Sequence, residues 1–281
     1  MKENIFRYGE NNRGLGMITL PNNVQGVPVV VMLNSGLLHR AEPYRLNVLT
    51  GRRLAEIGYI CLRVDLSGKG DTPARKELTN RESVALDWRY IKQSITQSFG
   101  QRNIIVMGLC SGADNCVKIA AQDSDVKGLI LMDSVANKDD GFNRRKLLNY
   151  ITNIYKWPIL LKKIFKIIGN VQSANDLVLA NRASLRDPPN DQDFRQCFAH
   201  LMASDGKILA IFTGFALSYY NIQGQFVKGM ATSGLDHLCE EIFWPNVMHL
   251  YSAQEHRDRL IKAIATWCET HFDRFCAKGA P

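Results

Sequence analysis

The sequence predicts an α/β protein: a mostly parallel central sheet flanked by helices, with a helical insertion late in the chain. Three observations predict it. Apolar, β-branched runs alternate with segments whose apolar residues recur at helical spacing. One of the runs, residues 27–33, is apolar almost without interruption, as a strand buried on both faces must be. The alternation then stops between residues 141 and 206, where helical, basic and apolar stretches follow one another, and resumes afterwards.

Taken in order, residues 17–20 read as an early strand ended by Pro21, and residues 27–33 as the buried strand. Further strands are expected at 59–64, 103–107, 127–132 and 207–213, with a weaker one at 241–244. Between them, Val84, Trp88, Ile91, Ile95 and Phe99 fall on one face of a helix. Near the end, Ser252-Ala253-Gln254-Glu255 has the pattern of a capping box, and Leu260, Ile264 and Trp267 line the inner side of the helix that follows. Residues 1–140 and 207–281 thus form the expected core domain, and residues 141–206 a helical cap, with Asp187-Pro188-Pro189-Asn190 marking a loop inside it.

The 281 residues accommodate one such domain with a moderate insertion. A hydrophobic share of 46% with 22% charged residues is that of a soluble globular chain. No run is long and apolar enough to span a bilayer, and the N-terminal residues lack the apolar core of a signal peptide, so a cytoplasmic location is expected. Seven cysteines without metal-type spacing argue against a zinc site or a disulfide framework, and neither metal nor cofactor is expected. The formal charge of +8 leaves open an acidic partner, such as a membrane surface or an acidic carrier protein, beside a merely basic surface. No nucleic-acid motif accompanies it, and no nucleic-acid partner is expected.

The sharpest chemical signal is Ile104-Ile105-Val106-Met107-Gly108-Leu109-Cys110-Ser111-Gly112-Ala113. A buried strand runs through Gly-x-Cys-x-Gly into a helix, which is the nucleophile-elbow pattern with cysteine in the central position. The glycines let strand and helix approach closely, and the helix start behind Cys110 offers free N–H groups and partial positive charge, which favours a thiolate. A shifted frame would make Ser111 the nucleophile, but the glycine spacing is then off by one; Ser111 is better placed to give its N–H to an oxyanion hole. After the buried strand, Asn34-Ser35-Gly36-Leu37-Leu38-His39-Arg40 offers the second donor through the N–H groups of Ser35, Gly36 or Leu37. His39 and Arg40 are candidate substrate contacts, as is Arg45; anchoring of the loop is the alternative for each.

Together with Arg63-Val64-Asp65-Leu66-Ser67-Gly68-Lys69-Gly70-Asp71-Thr72, which is similar to a D-x-x-G-x-G-x-S/T turn, these segments resemble the α/β-hydrolase superfamily. Within it the chain is most similar to the exosortase A system-associated hydrolases and related serine-aminopeptidase-like proteins, over residues 17–135 and more loosely 240–270. The resemblance implies the α/β-hydrolase fold, with Cys110 where most relatives carry serine. It also implies a general base after the last strand and an acid after the next-to-last strand or, in some members, after the strand before it.

His249 fits the base: Pro245 ends the last strand and a helix follows. His237 is the runner-up. The loop after residues 207–213 carries no Asp or Glu, so the acid is sought after residues 127–132, where Asp133 follows at once, with Asp139 and Asp140 further on. Asn221 could orient the imidazole without charge. In the cap, residues 156–169 mix lysines with apolar residues at helical spacing, which suits a membrane surface, an acidic carrier protein or a plain amphipathic cap helix.

The expected function is an ester or thioester hydrolase or acyltransferase working through an acyl-Cys110 intermediate. Its substrate would be a small acyl compound, free or carrier-bound. Two alternatives stand beside it: Dieckmann-type acyl transfer with ring closure in a biosynthetic pathway, and a non-catalytic binding protein on the same fold. The oligomeric state is not legible.

Overall fold

The computed structural model describes residues 1–23, 27–100, 102–152, 186–230 and 234–272. Eight strands form one sheet: β1 (Lys2–Tyr8), β2 (Gly14–Leu20), β3 (Val29–Leu33), β4 (Cys61–Asp65), β5 (Ile104–Leu109), β6 (Val126–Met132), β7 (Lys207–Thr213) and β8 (Cys239–Trp244). Their spatial order is β1-β2-β4-β3-β5-β6-β7-β8. β2 runs antiparallel to β1 and β4, and every other neighbouring pair is parallel. The parallel part is the sheet expected from the alternation.

Strand β1 lies outside the strands read from the sequence. Its Lys2, Glu3 and Arg7 mask a short edge strand, of which only Phe6 and Tyr8 are buried. It closes as a hairpin on β2, and the Tyr8 hydroxyl donates to the Asp65 carbonyl at 2.6 Å.

Among the described residues the α-helices are α1 (Leu46–Glu56), α2 (Asn80–Phe99), α3 (Ser111–Ala120), α4 (Phe142–Thr152), α5 (Asp191–Ala203), α6 (Gln225–Met230) and α7 (Gln254–Phe272). Alternation along each strand divides the core in two. Val29, Val31, Leu33, Val106 and Leu131 join the cluster that also holds Val84, Trp88 and Ile91 of α2 and Val117 of α3. Val30, Met32, Ile105 and Met107 join the opposite cluster, with Leu54 of α1 and Leu260, Ile264 and Trp267 of α7. The stripe expected on α2 is the buried one, and a Thr79/Glu82 capping box starts that helix. Each fully buried aliphatic side chain of this kind is worth about 2 kcal/mol.

Helix α5 starts from an Asn190/Asp193 capping box and sends Phe194, Cys197, Phe198 and Leu201 into the core beside α2 and α3. The last part of the expected cap, residues 191–203, is therefore built into the core layer. The basic stretch 156–169 lies outside the described residues. Among the described residues no helix is long and apolar enough to cross a membrane.

Candidate active site

The elbow forms where β5 meets α3, between β3 and β6 in the middle of the sheet. Cys110 has φ +54° and ψ −117°, a conformation that costs a non-glycine residue roughly 1–3 kcal/mol. Its N–H donates to the Met132 carbonyl at 2.8 Å, which ties the turn to β6. The glycines earn their spacing sterically. A Cβ on Gly108 would stand 2.3 Å from the Gly112 carbonyl carbon, and one on Gly112 would meet the Asn34 oxygen at 3.1 Å. Cys110 is half-buried, and α3 begins with the next residue.

His249 lies on the loop between β8 and α7, and its Nδ1 stands 2.7 Å from Asp133 Oδ2. Asp133 is fully buried at the end of β6, in the left-handed region at φ +48°. Its Oδ1 accepts the Thr213 N–H and its Oδ2 the Thr213 hydroxyl, each at 2.7 Å. With Nδ1 committed to the carboxylate, the other ring nitrogen is free of that bond, and Cys110 lies within electrostatic reach of the imidazole. Burial pulls the imidazole pKa down, but the bond to Asp133 and the pull of Asp133 and Cys110 outweigh it and push it up to about 9. The Phe215 ring stacks on the imidazole at 3.9 Å.

The loop after β3 folds over this elbow. The Gly36 N–H donates to the Ser111 hydroxyl at 2.7 Å, which ties loop to helix start. Ser35 departs from expectation: its N–H is already given to Glu42 Oε1 at 2.5 Å and its hydroxyl to Oε2 at 2.8 Å, so its amide is not free for an oxyanion. Among the described residues the Leu37 N–H has no acceptor. Glu42, itself at φ +58°, is a site residue missed in the sequence. Burial pushes its carboxyl up to about 7 despite the two bonds from Ser35.

His39 and Arg40 are turned onto carboxylates rather than toward the thiol. His39 Nε2 stands 3.1 Å from Asp71 Oδ2. The Arg40 guanidinium bridges Asp65 at 2.5 Å and Asp71 at 2.8 Å, and its backbone N–H also donates to Asp65. Asp65 is fully buried and needs this cation. Gly70 leaves room for it, since a Cβ there would fall 2.4 Å from the Asp65 carboxyl carbon. His39, Asp65 and Asp71 are close enough to share a metal ion, but Arg40 already supplies their positive charge.

Other candidates separate from the site. Asn221 accepts from Arg145 and donates to the Phe142 carbonyl, and Asp139 pairs with the same arginine. His237 is exposed beside Asp236. Two groups not foreseen stand near the sulfur. The Tyr219 hydroxyl donates to the Asp133 carbonyl at 3.2 Å. Arg186 is paired through two bonds with the buried Asp114 of α3, and both Arg186 and Tyr219 lie within electrostatic reach of Cys110.

Neither a family model nor a curated protein matches the chain. Solved structures do. A dienelactone hydrolase from Anabaena variabilis is 12% identical, with TM-score 0.53, covering 97% of this chain and all of its own. An esterase from Pyrococcus furiosus is 12% identical with TM-score 0.58, covering 96% and 91%. A carboxyl esterase from Bacillus coagulans is 14% identical with TM-score 0.55, covering 96% and 99%. The fold is that of the α/β-hydrolases.

Proposed function

We propose that this chain is an enzyme that cleaves or transfers the acyl group of an ester or thioester through Cys110. The observation that carries the reading is the Asp133–His249 pair within electrostatic reach of the Cys110 thiol at a strained elbow. The Cys110 sulfur attacks the acyl carbonyl carbon while its proton is held by the imidazole. The oxygen gains negative charge beside the Ser111 N–H at the mouth of α3, with the Leu37 N–H of the adjoining loop as the second donor, the Gly36 N–H being given to the Ser111 hydroxyl. As the tetrahedral adduct collapses, the imidazolium gives its proton to the departing alkoxide or thiolate, and an acyl-Cys110 thioester remains. Water or another acceptor then loses a proton to His249, attacks the thioester, and releases the sulfur.

Asp133 keeps the ring in the orientation and tautomer this requires and offsets the imidazolium charge. The loops that follow β3, β7 and β8 hold Leu37, Leu38, Phe215, Leu217, Met248 and Leu250 exposed at the same end of the sheet, an apolar rim that suits an acyl chain.

The test is turnover of p-nitrophenyl esters and acyl thioesters, with mass spectrometry of the quenched protein. Turnover that disappears in Cys110→Ala, with an acyl mass trapped on Cys110 in the parent, is the expected result. Undiminished activity of that variant would refute the assignment. An adduct that accumulates until a nucleophilic acceptor is added identifies a transferase; an adduct that clears in water identifies a hydrolase. No turnover of any ester, with no adduct, favours the binding-protein alternative.

A further inference from the structure

We propose that Glu42 is a positioning residue for acyl transfer: its carboxylate fixes Ser35, and through it the turn that presents the Leu37 N–H to the developing oxyanion. The proposal rests on the thiol-acylation reading above and assigns the residue that sets its second oxyanion donor.

The loop after β3 leaves the sheet against the elbow. The Asn34 oxygen lies where a Cβ on Gly112 would meet it at 3.1 Å, two residues beyond Cys110. The next four residues form a tight turn, closed by the Leu38 N–H donating to the Ser35 carbonyl at 2.9 Å, with Gly36 at φ +50° inside it. The Asn34 side-chain amide donates to the Leu38 carbonyl at 2.8 Å and so clasps the far corner. The Gly36 N–H donates to the Ser111 hydroxyl at 2.7 Å, on the residue that follows Cys110.

Glu42 holds the near corner. Its Oε1 accepts the Ser35 N–H at 2.5 Å and its Oε2 the Ser35 hydroxyl at 2.8 Å. Of the four N–H groups from Ser35 to Leu38, three are thus spent on fixing the turn. Among the described residues the fourth, that of Leu37, has no acceptor, in a residue 77% exposed. An oxyanion donor has to be held in place before charge develops, because a donor that must first be ordered gives back part of what it contributes.

Glu42 occupies its position at a double cost. At φ +58° and ψ +165° its backbone lies in a region open essentially only to glycine. Its side chain is only 7% exposed, and among the described residues Ser35 alone donates to its carboxylate. A glycine at residue 42 would avoid both costs and leave the Ser35 corner unfastened. The carboxylate reaches back seven residues to do one thing, which is to clamp the start of the turn beside the elbow.

The experiment measures kcat and KM for p-nitrophenyl butyrate in Glu42→Gly and Glu42→Gln, after subtracting the rate in Cys110→Ala. Glycine relieves the backbone and removes a buried carboxyl, which offsets the lost acceptor of the Ser35 N–H, so that variant should fold and melt within about 5 °C of the parent. Its kcat should fall about 10–100-fold, part of the cost of losing a whole oxyanion donor, with KM within about threefold. The amide of Glu42→Gln still offers an acceptor to the Ser35 N–H and a donor to its hydroxyl, and should recover most of the lost kcat. A glycine variant with the kcat of the parent, or a glutamine variant as slow as the glycine one, overturns the proposal.

A second readout needs no turnover. Hydrogen exchange across residues 34–38, followed by mass spectrometry, should be faster in Glu42→Gly than in the parent and close to the parent in Glu42→Gln. If the parent reacts with no ester, the acylation reading fails and exchange alone decides on the anchor: faster exchange in the glycine variant upholds it, unchanged exchange ends it. If the parent turns over and faster exchange comes with undiminished kcat, the acylation reading stands and the role of Glu42 falls.

Discussion

Two histidine–aspartate pairs stand near the carboxyl ends of the strands, and they differ in almost everything but composition. His249 and Asp133 meet at 2.7 Å with the carboxylate fully buried and the imidazole side chain 20% exposed. His39 and Asp71 meet at 3.1 Å with 46% and 55% of their side chains in water. Asp133 is held by the Thr213 N–H and hydroxyl, so it can serve only the imidazole. Asp71 shares its oxygen with Arg40, which also holds Asp65. On the proposed mechanism the first pair polarises the ring that serves the Cys110 thiol; the second belongs to a mount that fixes two loops to each other. What sets the first pair apart is burial and two further contacts on its carboxylate, both from Thr213.

Substitutions can break this comparison, beginning with the largest effect. His249→Ala should lower kcat/KM for p-nitrophenyl esters by about 10⁴-fold or more, since nucleophile and base act as a unit. A loss under tenfold would remove His249 from the mechanism. Arg40→Ala should leave the Asp65 carboxylate buried and unpaired. It should cost about 3–5 kcal/mol in urea unfolding, with a smaller loss in the activity of the folded fraction. If kcat instead collapses while stability holds, the loop mount has a direct part in the chemistry.

Asp133→Asn should cost about 10²-fold in kcat/KM, because a thiol leans on its base less than a hydroxyl does. It should also move the alkaline limb of the pH profile. The parent imidazole is protonated below about 9, so activity that needs an imidazolium to protonate the leaving group should fall as pH rises through that value. The same group stabilises the fold most below its ordinary value near 6.5, and that contribution is lost as pH rises through about 9. Without the carboxylate both changes should occur at lower pH; a limb that stays in place means another group controls it. His39→Ala should be the smallest change, within about 0.5 kcal/mol in stability, as for other exposed ion pairs. A large KM effect in that variant would restore it as a substrate contact.

Much of the frame was legible because it rests on local constraints. The unbroken apolar run that became β3 and the one-face stripe of α2 each admit few structures, and the glycines of the elbow are demanded by contacts of 2.3 Å and 3.1 Å. His249 and Asp133 were placed through the family resemblance, Asp133 with Asp139 beside it as an alternative; the structure brings His249 and Asp133 within 2.7 Å of each other. What escaped is set by tertiary burial. Strand β1 is a charged edge that only Phe6 and Tyr8 anchor. Glu42 reads as a surface charge in a polar loop, and nothing nearby in sequence signals that its side chain folds inward. Arg40, read from sequence as either a substrate contact or a structural cation, pairs with Asp65 and Asp71, the structural alternative.

Asp133 and Thr213 terminate adjacent parallel strands, and the hydroxyl of one already touches the carboxylate of the other. A reciprocal exchange, Asp133→Thr with Thr213→Asp, would therefore transplant the acid one strand sideways without asking the imidazole to seek it elsewhere. The two locations of the acid among proteins of this architecture become neighbouring sockets for one charge. This chain would be a natural host in which to move it between them.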